Sequence, residues 1–490
     1  MIYHTHIFNK TCVVRVLRTL LPVVLGIGSL FANAHAGDKP NFVFILVDDL
    51  GRQDLGCYGS TFHQTPHIDQ LSQEGVRFTD AYSASSICSP TRASILTGKY
   101  PVRVGITRAT PEQSLALEEV TIAEALKEAG YRTAHMGKWH LQSHQDKGRT
   151  HYPEAQGFDV NIGGHTAGQP ASFFYPYTAK AAKYAKNNVP DLDGGEEGEF
   201  LTDRLTEEGI QFIKDSGDQP FLLNLWYYAV HTPVQGKPEK VLKYEAKAKE
   251  LGYDPKEEHG IAEHESWHHS RQDNPKYAAL VESVDDGVGR LLTAIKELGK
   301  ADNTVVIFMS DNGGLSTGHS KKAPTSCLPL RAGKAWLYEG GVRQPLIVKW
   351  PGHIVAGATN SETVISTDFY PTMLEMAGLP QRPEQHLDGV SFAPLLTGEA
   401  DHLEREAIYF HTPHHHHINT MGPASSVRMG DYKLIEPFRS GEVELYNLKA
   451  DLGEQNNLAA QMPELAERMK QMLVDWRTEV DAPVVKDNHK

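Results

Sequence analysis

The sequence predicts an α/β fold with a large, mostly parallel sheet and helices on both faces, plus a smaller C-terminal domain with an antiparallel sheet and a packed helix. Three observations lead to this prediction. Continuous apolar runs of strand length recur along the first 400 residues, amphipathic segments lie between them, and short, closely spaced strands follow. Alternating strands and helices are typical of parallel sheets that are covered on both faces.

The first predicted strand is Asn41–Val47, a continuous apolar run of the kind found in strands buried on both faces. Further strands are predicted at residues 131–136, 221–230 and 304–309. All four lead directly into polar segments, which are Asp48-Asp49 and residues 137–140, 231–233 and 310–314. Because ligands bind beyond the carboxyl ends of the strands in such sheets, we expect these four segments to converge.

Helices are predicted between these strands from their end signals. A Thr-x-x-Glu capping box begins a helix at residues 121–129, and residues 277–298 form an amphipathic helix. Another helix begins near Cys88, because Pro90 suits a first helical turn. We therefore expect Cys88 at a helix N-terminus, where free backbone N–H groups attract anions, with Arg92 one turn further on.

The sequence after residue 400 has a different pattern. Strands are predicted at residues 407–410, 426–429, 432–436 and 442–446, followed by a helix from Pro463 to about residue 480. We therefore divide the chain into three expected segments. They are an export signal at residues 1–36, a larger α/β domain at residues 37–400 that contains the four polar segments, and a C-terminal α+β subdomain at residues 401–490.

The first 36 residues have the composition of an export signal. Lys10, Arg15 and Arg18 precede an apolar stretch, and Ala34-His35-Ala36 resembles a cleavage site. The alternative is a membrane anchor, but the apolar stretch is shorter than the roughly 20 residues that a bilayer span needs. We therefore expect export to the periplasm or the medium, without a membrane anchor.

Composition and charge exclude several classes of protein. The chain has 490 residues, of which 40% are hydrophobic and 22% charged, as in ordinary globular proteins. Its net charge of −14 argues against nucleic acid as a partner, so an anionic substrate must be attracted by local positive charge. Three cysteines follow the signal, an odd number for an exported protein. Cys57 and Cys327 could pair or stay free, and Cys88 is the candidate for another purpose.

The segment around Cys88 carries the most specific motif in the sequence. Cys88, Pro90 and Arg92 match the signature Cys-x-Pro-x-Arg of the sulfatase family, which belongs to the alkaline phosphatase superfamily. The sequence resembles this family over nearly the whole chain after residue 36, including Asp48-Asp49 and residues 137–140, 310–314, 330–341 and 445–458. One departure is His67, where the family usually has Asn.

The resemblance implies two additional groups at the site. Cys88 would be oxidised to formylglycine (3-oxoalanine) by a formylglycine-generating or sulfatase-maturating enzyme, and its hydrated aldehyde would supply the nucleophile. Asp48, Asp49, Asp311 and Asn312 offer oxygen ligands, which suit a hard cation such as calcium better than zinc. The resemblance implies one Ca²⁺ ion, with residue 88 completing its shell. Taken alone, either pair could instead cap a helix or lie in a solvated turn.

The resemblance also implies roles for five basic side chains. Arg92, Lys138 and Lys334 would hold the aldehyde diol and the sulfate oxygens, as fixed positive charges around an anion can do. His140 would assist the diol hydroxyl and the breakdown of the intermediate, and His231, with Lys334, would protonate the leaving oxygen. Without this context, each histidine could simply complete a hydrogen bond at a strand end.

Candidate walls of a substrate pocket lie between the catalytic strands and in the C-terminal part. They are residues 163–169, the aromatic residues 173–177, the His-rich residues 259–269, the four histidines 414–417 and Arg428. Aromatic rings beside polar groups suit sugar binding, although ordinary loop packing explains them equally well. The four histidines could line the pocket, bind metal incidentally or form a solvated loop.

These observations favour an exported, calcium-dependent hydrolase of sulfate esters, with a sulfated sugar or polysaccharide-derived oligosaccharide as substrate. The negative charge of the chain would oppose capture of a long sulfated polymer, which favours oligosaccharides. Two alternatives stay open. One is a phosphate-ester or phosphonate hydrolase of the same superfamily, and the other is an inactive carbohydrate-binding relative.

Overall fold

The computed structural model describes residues 39–109, 112–179, 181–254 and 257–485. The predicted export signal at residues 1–36 lies outside these ranges. Within them, we find no helix with both the length and the apolar composition needed to cross a bilayer.

The described residues form three β-sheets. Their strands are β1 (Asn41–Val47), β2 (Val76–Tyr82), β3 (Arg132–Gly137), β4 (Val160–Ile162), β5 (Phe221–Trp226), β6 (Gly260–Glu263), β7 (Ser266–His269), β8 (Thr304–Ser310), β9 (Thr317–Gly318), β10 (Arg343–Lys349), β11 (Thr359–Asn360), β12 (Val364–Ile365), β13 (Ile408–Thr412), β14 (Ala424–Met429), β15 (Tyr432–Pro437) and β16 (Glu444–Asn447). The central sheet has nine strands in the order β11-β2-β10-β8-β1-β5-β3-β4, with β12 also paired to β2. Its pairs are parallel except those of β10 with β2 and β8, which confirms a mostly parallel sheet.

Helices cover both faces of the central sheet. They are α1 (Pro66–Glu74), α2 (Cys88–Thr97), α3 (Ile122–Glu128), α4 (Leu201–Asp215), α5 (Pro238–Glu250), α6 (Pro275–Glu297), α7 (Glu339–Val342), α8 (Phe369–Met376), α9 (Ala393–Thr397) and α10 (Pro463–Glu479). Phe44 packs into a core with residues of α2, α3 and α8, whereas its neighbour Ile45 packs into a second core with residues of α1, α4 and α6. The continuous apolar pattern of β1 therefore reflects burial on both faces.

Local end signals locate the helices well. The Thr121 hydroxyl accepts a hydrogen bond from Glu124 N, and the Glu124 carboxylate accepts one from Thr121 N, so the predicted capping box is formed. Asn274 caps α6 by accepting hydrogen bonds from the backbone N–H groups of Lys276 and Tyr277. These side chains satisfy backbone donors that the first helical turn leaves unpaired.

The predicted strand at residues 221–230 is too long. β5 ends at Trp226, and the chain continues beside β1 through hydrogen bonds from Tyr227 N to Leu46 O and from Val230 N to Asp48 O, without regular strand geometry. Residues 227–230 are as buried as the strand itself. An apolar run therefore cannot show where the regular ladder ends.

The C-terminal sheet is antiparallel, in the order β13-β14-β15-β16, and α10 packs against it through Met469 and Leu473. This confirms the predicted antiparallel sheet and helix. Ile435 of the C-terminal sheet packs in a separate apolar cluster with Trp336, which lies outside that sheet. A third, small sheet of β6, β7 and β9 was not predicted.

The three cysteines of the described residues are unpaired. Cys57 is half-buried, whereas Cys88 and Cys327 are buried. Cys57 and Cys327 are therefore free thiols in this structure and do not form a disulfide. Burial raises the pKa of both thiols to about 12, which makes them poor nucleophiles at neutral pH.

Candidate active site

The four polar segments meet at one edge of the central sheet. The strands β8, β1, β5 and β3 are parallel neighbours, so their carboxyl ends lie side by side. Asp48 follows β1, Lys138 follows β3, His231 lies beyond β5 and Asp311 follows β8. The strand order is therefore what brings together residues that are far apart in the sequence.

Cys88 is the first residue of α2 and its thiol is buried. Its Sγ atom lies 3.5 Å from Nδ1 of His140. Burial raises the pKa of this thiol, although the charges of Lys138 and Lys334 oppose the shift. The unmodified thiol is therefore protonated at neutral pH and is a weak nucleophile.

Two buried lysines neutralise the adjacent carboxylates that follow β1. Lys138 Nζ lies 2.8 Å from Oδ1 and 2.7 Å from Oδ2 of Asp48. Lys334 Nζ lies 2.7 Å from Oδ2 of Asp49. Because an unpaired buried charge is costly, these contacts explain how two neighbouring carboxylates can be buried side by side.

Arg92 neutralises Asp311, the buried carboxylate that follows β8. Its Nε and Nη2 atoms donate to Oδ2 of Asp311 at 3.0 and 2.8 Å, and its Nη1 donates to the carbonyl of Lys138 at 2.7 Å. The guanidinium also lies over the ring of Trp226, 5.3 Å from its centre. Arg92 thus connects α2 to the ends of β3 and β8.

The oxygen atoms around Asp49 have the chemistry of a metal site. Asn312 Nδ2 donates to Asp49 Oδ1 at 2.8 Å, and Oδ1 of Asn312 is buried without a hydrogen-bond partner among the described residues. Ligand atoms of Asp48, Asp49 and His231 lie within 4.8 Å of one another. Burial, together with the charges of Asp311 and Asp49, raises the pKa of Asp48, although Lys138 opposes this. A hard cation fits this set of buried oxygen atoms.

His231 contacts Lys334 and Asp49 through one ring nitrogen. Its Nε2 atom lies 3.0 Å from Lys334 Nζ and 3.4 Å from Asp49 Oδ2, and its Nδ1 lies 3.1 Å from the carbonyl of Thr232. Burial and the charge of Lys334 lower the pKa of His231 to about 3. The imidazole is therefore neutral near pH 7, and its Nε2 atom can accept a hydrogen bond from Lys334.

His140 approaches residue 88 from the end of β3. Its backbone is left-handed, with φ 60°, and its N–H donates to the carbonyl of His165 at 3.0 Å. Burial, reinforced by Lys138 and Arg92, lowers the pKa of His140 well below its usual value. A neutral imidazole in this position can accept a proton from a hydroxyl group at residue 88.

A cavity of about 730 Å³ leads to this cluster, since Cys88 and Lys334 are part of its lining. Two of the predicted walls, in residues 163–169 and 414–417, also contribute to it. Further lining residues were not predicted from the sequence, among them Arg108, His144, Tyr184 and Lys186. Tyr184 and Lys186 lie in one 3-10 helix, Ala182–Asn187, whereas Arg108 and His144 come from other segments. No local pattern marks these side chains as cavity lining, because the segments meet only in the folded structure.

The remaining predicted walls lie elsewhere. Phe173 and Tyr177 are fully buried in the core, which supports ordinary packing, and not a pocket wall, for the aromatic residues 173–177. No described residue of 259–269 belongs to the lining of this cavity. Arg428 forms a buried ion pair with Asp80 at 2.6 Å and so has a structural contact instead.

Comparison with known protein families agrees with this geometry. The family model described as Sulfatase matches residues 40–379, and a model described as N-sulphoglucosamine sulphohydrolase, C-terminal, matches residues 332–479. A protein of Formosa agariphila named Sulfatase is 34% identical, over 91% of this chain and 90% of its own length.

Two solved structures are also similar. One, titled Ps i-CgsB in complex with k-i-k-neocarrahexaose, is 31% identical with a TM-score of 0.73 and covers 90% of this chain and 93% of that chain. Another, in complex with its substrate D-Glucosamine-2-N, 6-O-disulfate, is 25% identical with a TM-score of 0.71 and covers 92% of this chain and 100% of that chain. On these matches, the chain belongs to the sulfatase family and is a sulfuric ester hydrolase.

Proposed function

We propose that this protein is an exported, calcium-dependent sulfatase that removes sulfate esters from a sulfated sugar or polysaccharide-derived oligosaccharide, with formylglycine at position 88 as its nucleophile. One observation carries the proposal. Cys88 contacts His140 at the end of a cavity, beside a buried cluster of carboxylates that are each paired with a cation. This is the arrangement that an anionic ester and a metal ion would require.

Asp48, Asp49, Asp311 and Asn312 would hold the calcium ion together with residue 88. When bound, calcium supplies positive charge that orients the nucleophile and offsets the sulfate charge, and the hydrated formylglycine supplies the attacking hydroxyl. The partnerless oxygen of Asn312, stated above for the described residues, supports this ligand set. Conversion of Cys88 would require a formylglycine-generating or sulfatase-maturating enzyme as a partner.

The three cations would act as fixed electrostatic groups. Lys138 and Lys334 would bind sulfate oxygens, and Arg92 would hold the diol at residue 88. Each cation contacts a buried carboxylate, so it needs little rearrangement when the substrate binds. Removing one such donor costs about 10²- to 10³-fold in rate in other enzymes.

The two histidines would move protons on opposite sides of the sulfur atom. His140 is neutral and would accept the proton from the attacking hydroxyl at residue 88. His231, in contact with Lys334, would donate a proton to the leaving ester oxygen. A bound sulfate ester would add negative charge beside His231, which raises its pKa and makes the imidazole a better donor.

The substrate class is supported by the cavity and by the similar structures. The cavity has a volume of about 730 Å³, within the range of roughly 300–1,000 Å³ that is usual for small-molecule sites. The similar proteins were solved with k-i-k-neocarrahexaose and with D-Glucosamine-2-N, 6-O-disulfate. The net charge of −14 opposes capture of long polyanions, so we propose oligosaccharides as substrates, with no nucleic-acid partner.

The proposal includes the organisation of the chain. Residues 1–36 would direct export to the periplasm or the medium, without leaving a membrane anchor. Residues 37–400 would form the catalytic domain and residues 401–490 a subdomain that completes the pocket. The contribution of residues 414–417 to the cavity supports this last role.

The test is release of free sulfate from a panel of sulfated oligosaccharides. The enzyme is co-produced with a formylglycine-generating enzyme, mass spectrometry verifies residue 88, and Cys88→Ala serves as the blank. We expect sulfate release by the converted enzyme, dependent on calcium, and none by the blank.

The same assay separates the alternatives. Phosphate or phosphonate release from matched esters, with no sulfate release, would replace the proposal by phosphoryl chemistry. Sugar binding without turnover by the converted protein would identify an inactive carbohydrate-binding relative. Equal turnover by Cys88→Ala would refute residue 88 as the nucleophile.

A further inference from the structure

The cavity at the active site differs in charge from the protein as a whole. The chain carries a net charge of −14, yet none of the described residues that line the cavity is acidic. The lining has three cationic side chains, Arg108, Lys186 and Lys334, and several histidines. A surface of this kind attracts anions in a protein that otherwise repels them.

Two of these cations are separate from the catalytic cluster. Lys334 contacts Asp49, but Lys186 is exposed and has no carboxylate partner among the described residues. Arg108 lies 3.2 Å from Glu112, and both side chains of this pair are substantially exposed, at 45% and 71%. Exposed pairs contribute only about 0–1 kcal/mol, so Arg108 can exchange Glu112 for a ligand at little cost.

The wall beside Arg108 is held in place by hydrogen bonds. His414 Nε2 lies 2.9 Å from the hydroxyl of Thr107, the residue before Arg108. Asn419, at the end of the histidine segment, donates to the carbonyl of Ala335 at 2.9 Å. The C-terminal part is therefore hydrogen-bonded to two residues of the cavity lining, Thr107 and Ala335, which reduces the ordering that ligand binding requires.

Lys186 also lies on an anchored segment. The carbonyl of its neighbour Asn187 accepts a hydrogen bond from Ala171 N at 2.7 Å, next to the wall formed by residues 167–169. Lys186 and its neighbour Asn187 line the same cavity as Cys88 and His140. The lysine can therefore contact a ligand that also reaches residue 88.

Two histidines of the cavity lining differ from Arg108 and Lys186 in being neutral near pH 7. Burial, followed by the charges of His417 and Lys334, lowers the pKa of His416 to about 4, and burial and Arg108 lower that of His414. These imidazoles are neutral near pH 7 and can hydrogen-bond sugar hydroxyls. Apart from Lys334, the permanent positive charges of the cavity lining are therefore those of Arg108 and Lys186.

We propose that Lys186 and Arg108 form a second anion subsite, which binds a sulfate or carboxylate substituent on a sugar ring next to the one that loses its sulfate. The inference rests on the proposed function, because it assigns the cavity to an oligosaccharide. It makes the substrate an oligosaccharide with at least two anionic groups, one at residue 88 and one at this subsite.

Calorimetric titration of the full-length Cys88→Ala protein tests this subsite without any turnover. The probes are dextran hexasaccharide, its sulfated form and hexagalacturonate, so the neutral, sulfate and carboxylate arms are compared at equal length. Each is titrated into Cys88→Ala and into the same protein carrying Lys186→Gln or Arg108→Gln. Lys183→Gln is the matched control, since Lys183 is an exposed lysine of the same segment that does not line the cavity.

We expect one or both anionic hexasaccharides to bind, and the neutral one to bind more weakly. Lys186→Gln and Arg108→Gln should each weaken anion binding at least tenfold, as expected when a hydrogen bond to a charged group is lost. Lys183→Gln should change it less than twofold. The arm that loses affinity identifies sulfate or carboxylate as the preferred substituent.

Two results would overturn the subsite. One is equal binding by Lys186→Gln, Arg108→Gln and the control, and the other is no binding of either anionic probe. Because the titration uses an inactive background, it is independent of catalysis. Sulfate release by the converted enzyme with unchanged binding in the variants would therefore reject only the subsite, whereas variant-sensitive binding without turnover would reject only the proposed reaction.

Discussion

Gly168 packs directly against the imidazole of His140, so closely that a Cβ atom at position 168 would lie 2.3 Å from Cε1 of the ring. No real Cβ atom tolerates such a distance, so any other residue here must displace the ring. The ring in turn lies 3.5 Å from the Sγ atom of Cys88 through its Nδ1 atom. Gly168 is therefore a positioning residue for the proposed proton acceptor.

Gly168→Ala should lower kcat for sulfate release at least tenfold while the melting temperature stays within a few degrees, because a small displacement of a catalytic group has a large effect on rate. The measurement is kcat and KM on the substrate found in the oligosaccharide panel. Gly318→Ala is the matched control, since a Cβ atom there would meet nothing closer than 3.9 Å. An unchanged kcat in Gly168→Ala would show that the ring position is unimportant.

Arg92→Met should destabilise the protein, because the buried carboxylate of Asp311 loses both hydrogen bonds that Arg92 donates and its ion-pair partner. Breaking a buried ion pair by removing one partner costs about 3–5 kcal/mol. Urea unfolding of calcium-free protein measures this loss. Adding Asp311→Asn to Arg92→Met should recover part of it, and a double variant with fully additive losses would contradict the coupling of the two residues.

Calcium should stabilise the protein through Asn312, whose buried Oδ1 atom has no hydrogen-bond partner among the described residues. A ligand at 100 times its Kd stabilises the folded state by about 2.7 kcal/mol, which raises Tm. Asn312→Ala should need at least tenfold more calcium for the same rise in Tm. Asn303→Ala, at the opposite end of β8, should respond like the wild type, and an identical response of Asn312→Ala would exclude this ligand.

Glu454 should make stability depend on pH, because it shares the buried ammonium of Lys433 with Glu339, each carboxylate lying 2.9 Å from Nζ. Burial raises the pKa of Glu454 from 4.5 to about 7. Between these values the folded protein keeps a proton that the unfolded chain releases. The stabilisation from this group is therefore fully present below about pH 4.5 and is lost as the pH rises to about 7.

Glu454→Gln keeps the neutral form of this side chain at every pH. The wild type should lose stability between pH 5 and pH 8 through Glu454, whereas the variant should not. The free energy of unfolding of the variant minus that of the wild type should therefore be larger at pH 8 than at pH 5, as measured by urea unfolding at both values. A constant difference in the free energy of unfolding at the two pH values would show that Glu454 does not titrate in this range.

Much of the fold was predictable because its signals are local. The apolar run of β1, the capping box at Thr121 and the helix that begins at Cys88 each depend on a few consecutive residues. The end of β5 and the small sheet of β6, β7 and β9 were not predictable. Burial continues past Trp226, and the pairing of β7 with β9 joins residues 49 and 51 positions apart in the chain.

The residue types that follow the strands are evident from the amino-acid sequence, and the family resemblance implies roles for Cys88, the oxygen ligands and the cations. Their contacts are evident only in the folded protein, such as Lys334 with Asp49 across 285 positions and Gly168 with His140. The tertiary structure also decided the left-handed backbone of Asp49 and His140 and the entry of Lys186 into the cavity. Local patterns encode burial and helix ends, whereas contacts between loops depend on the strand order, which places distant segments at one edge of the sheet.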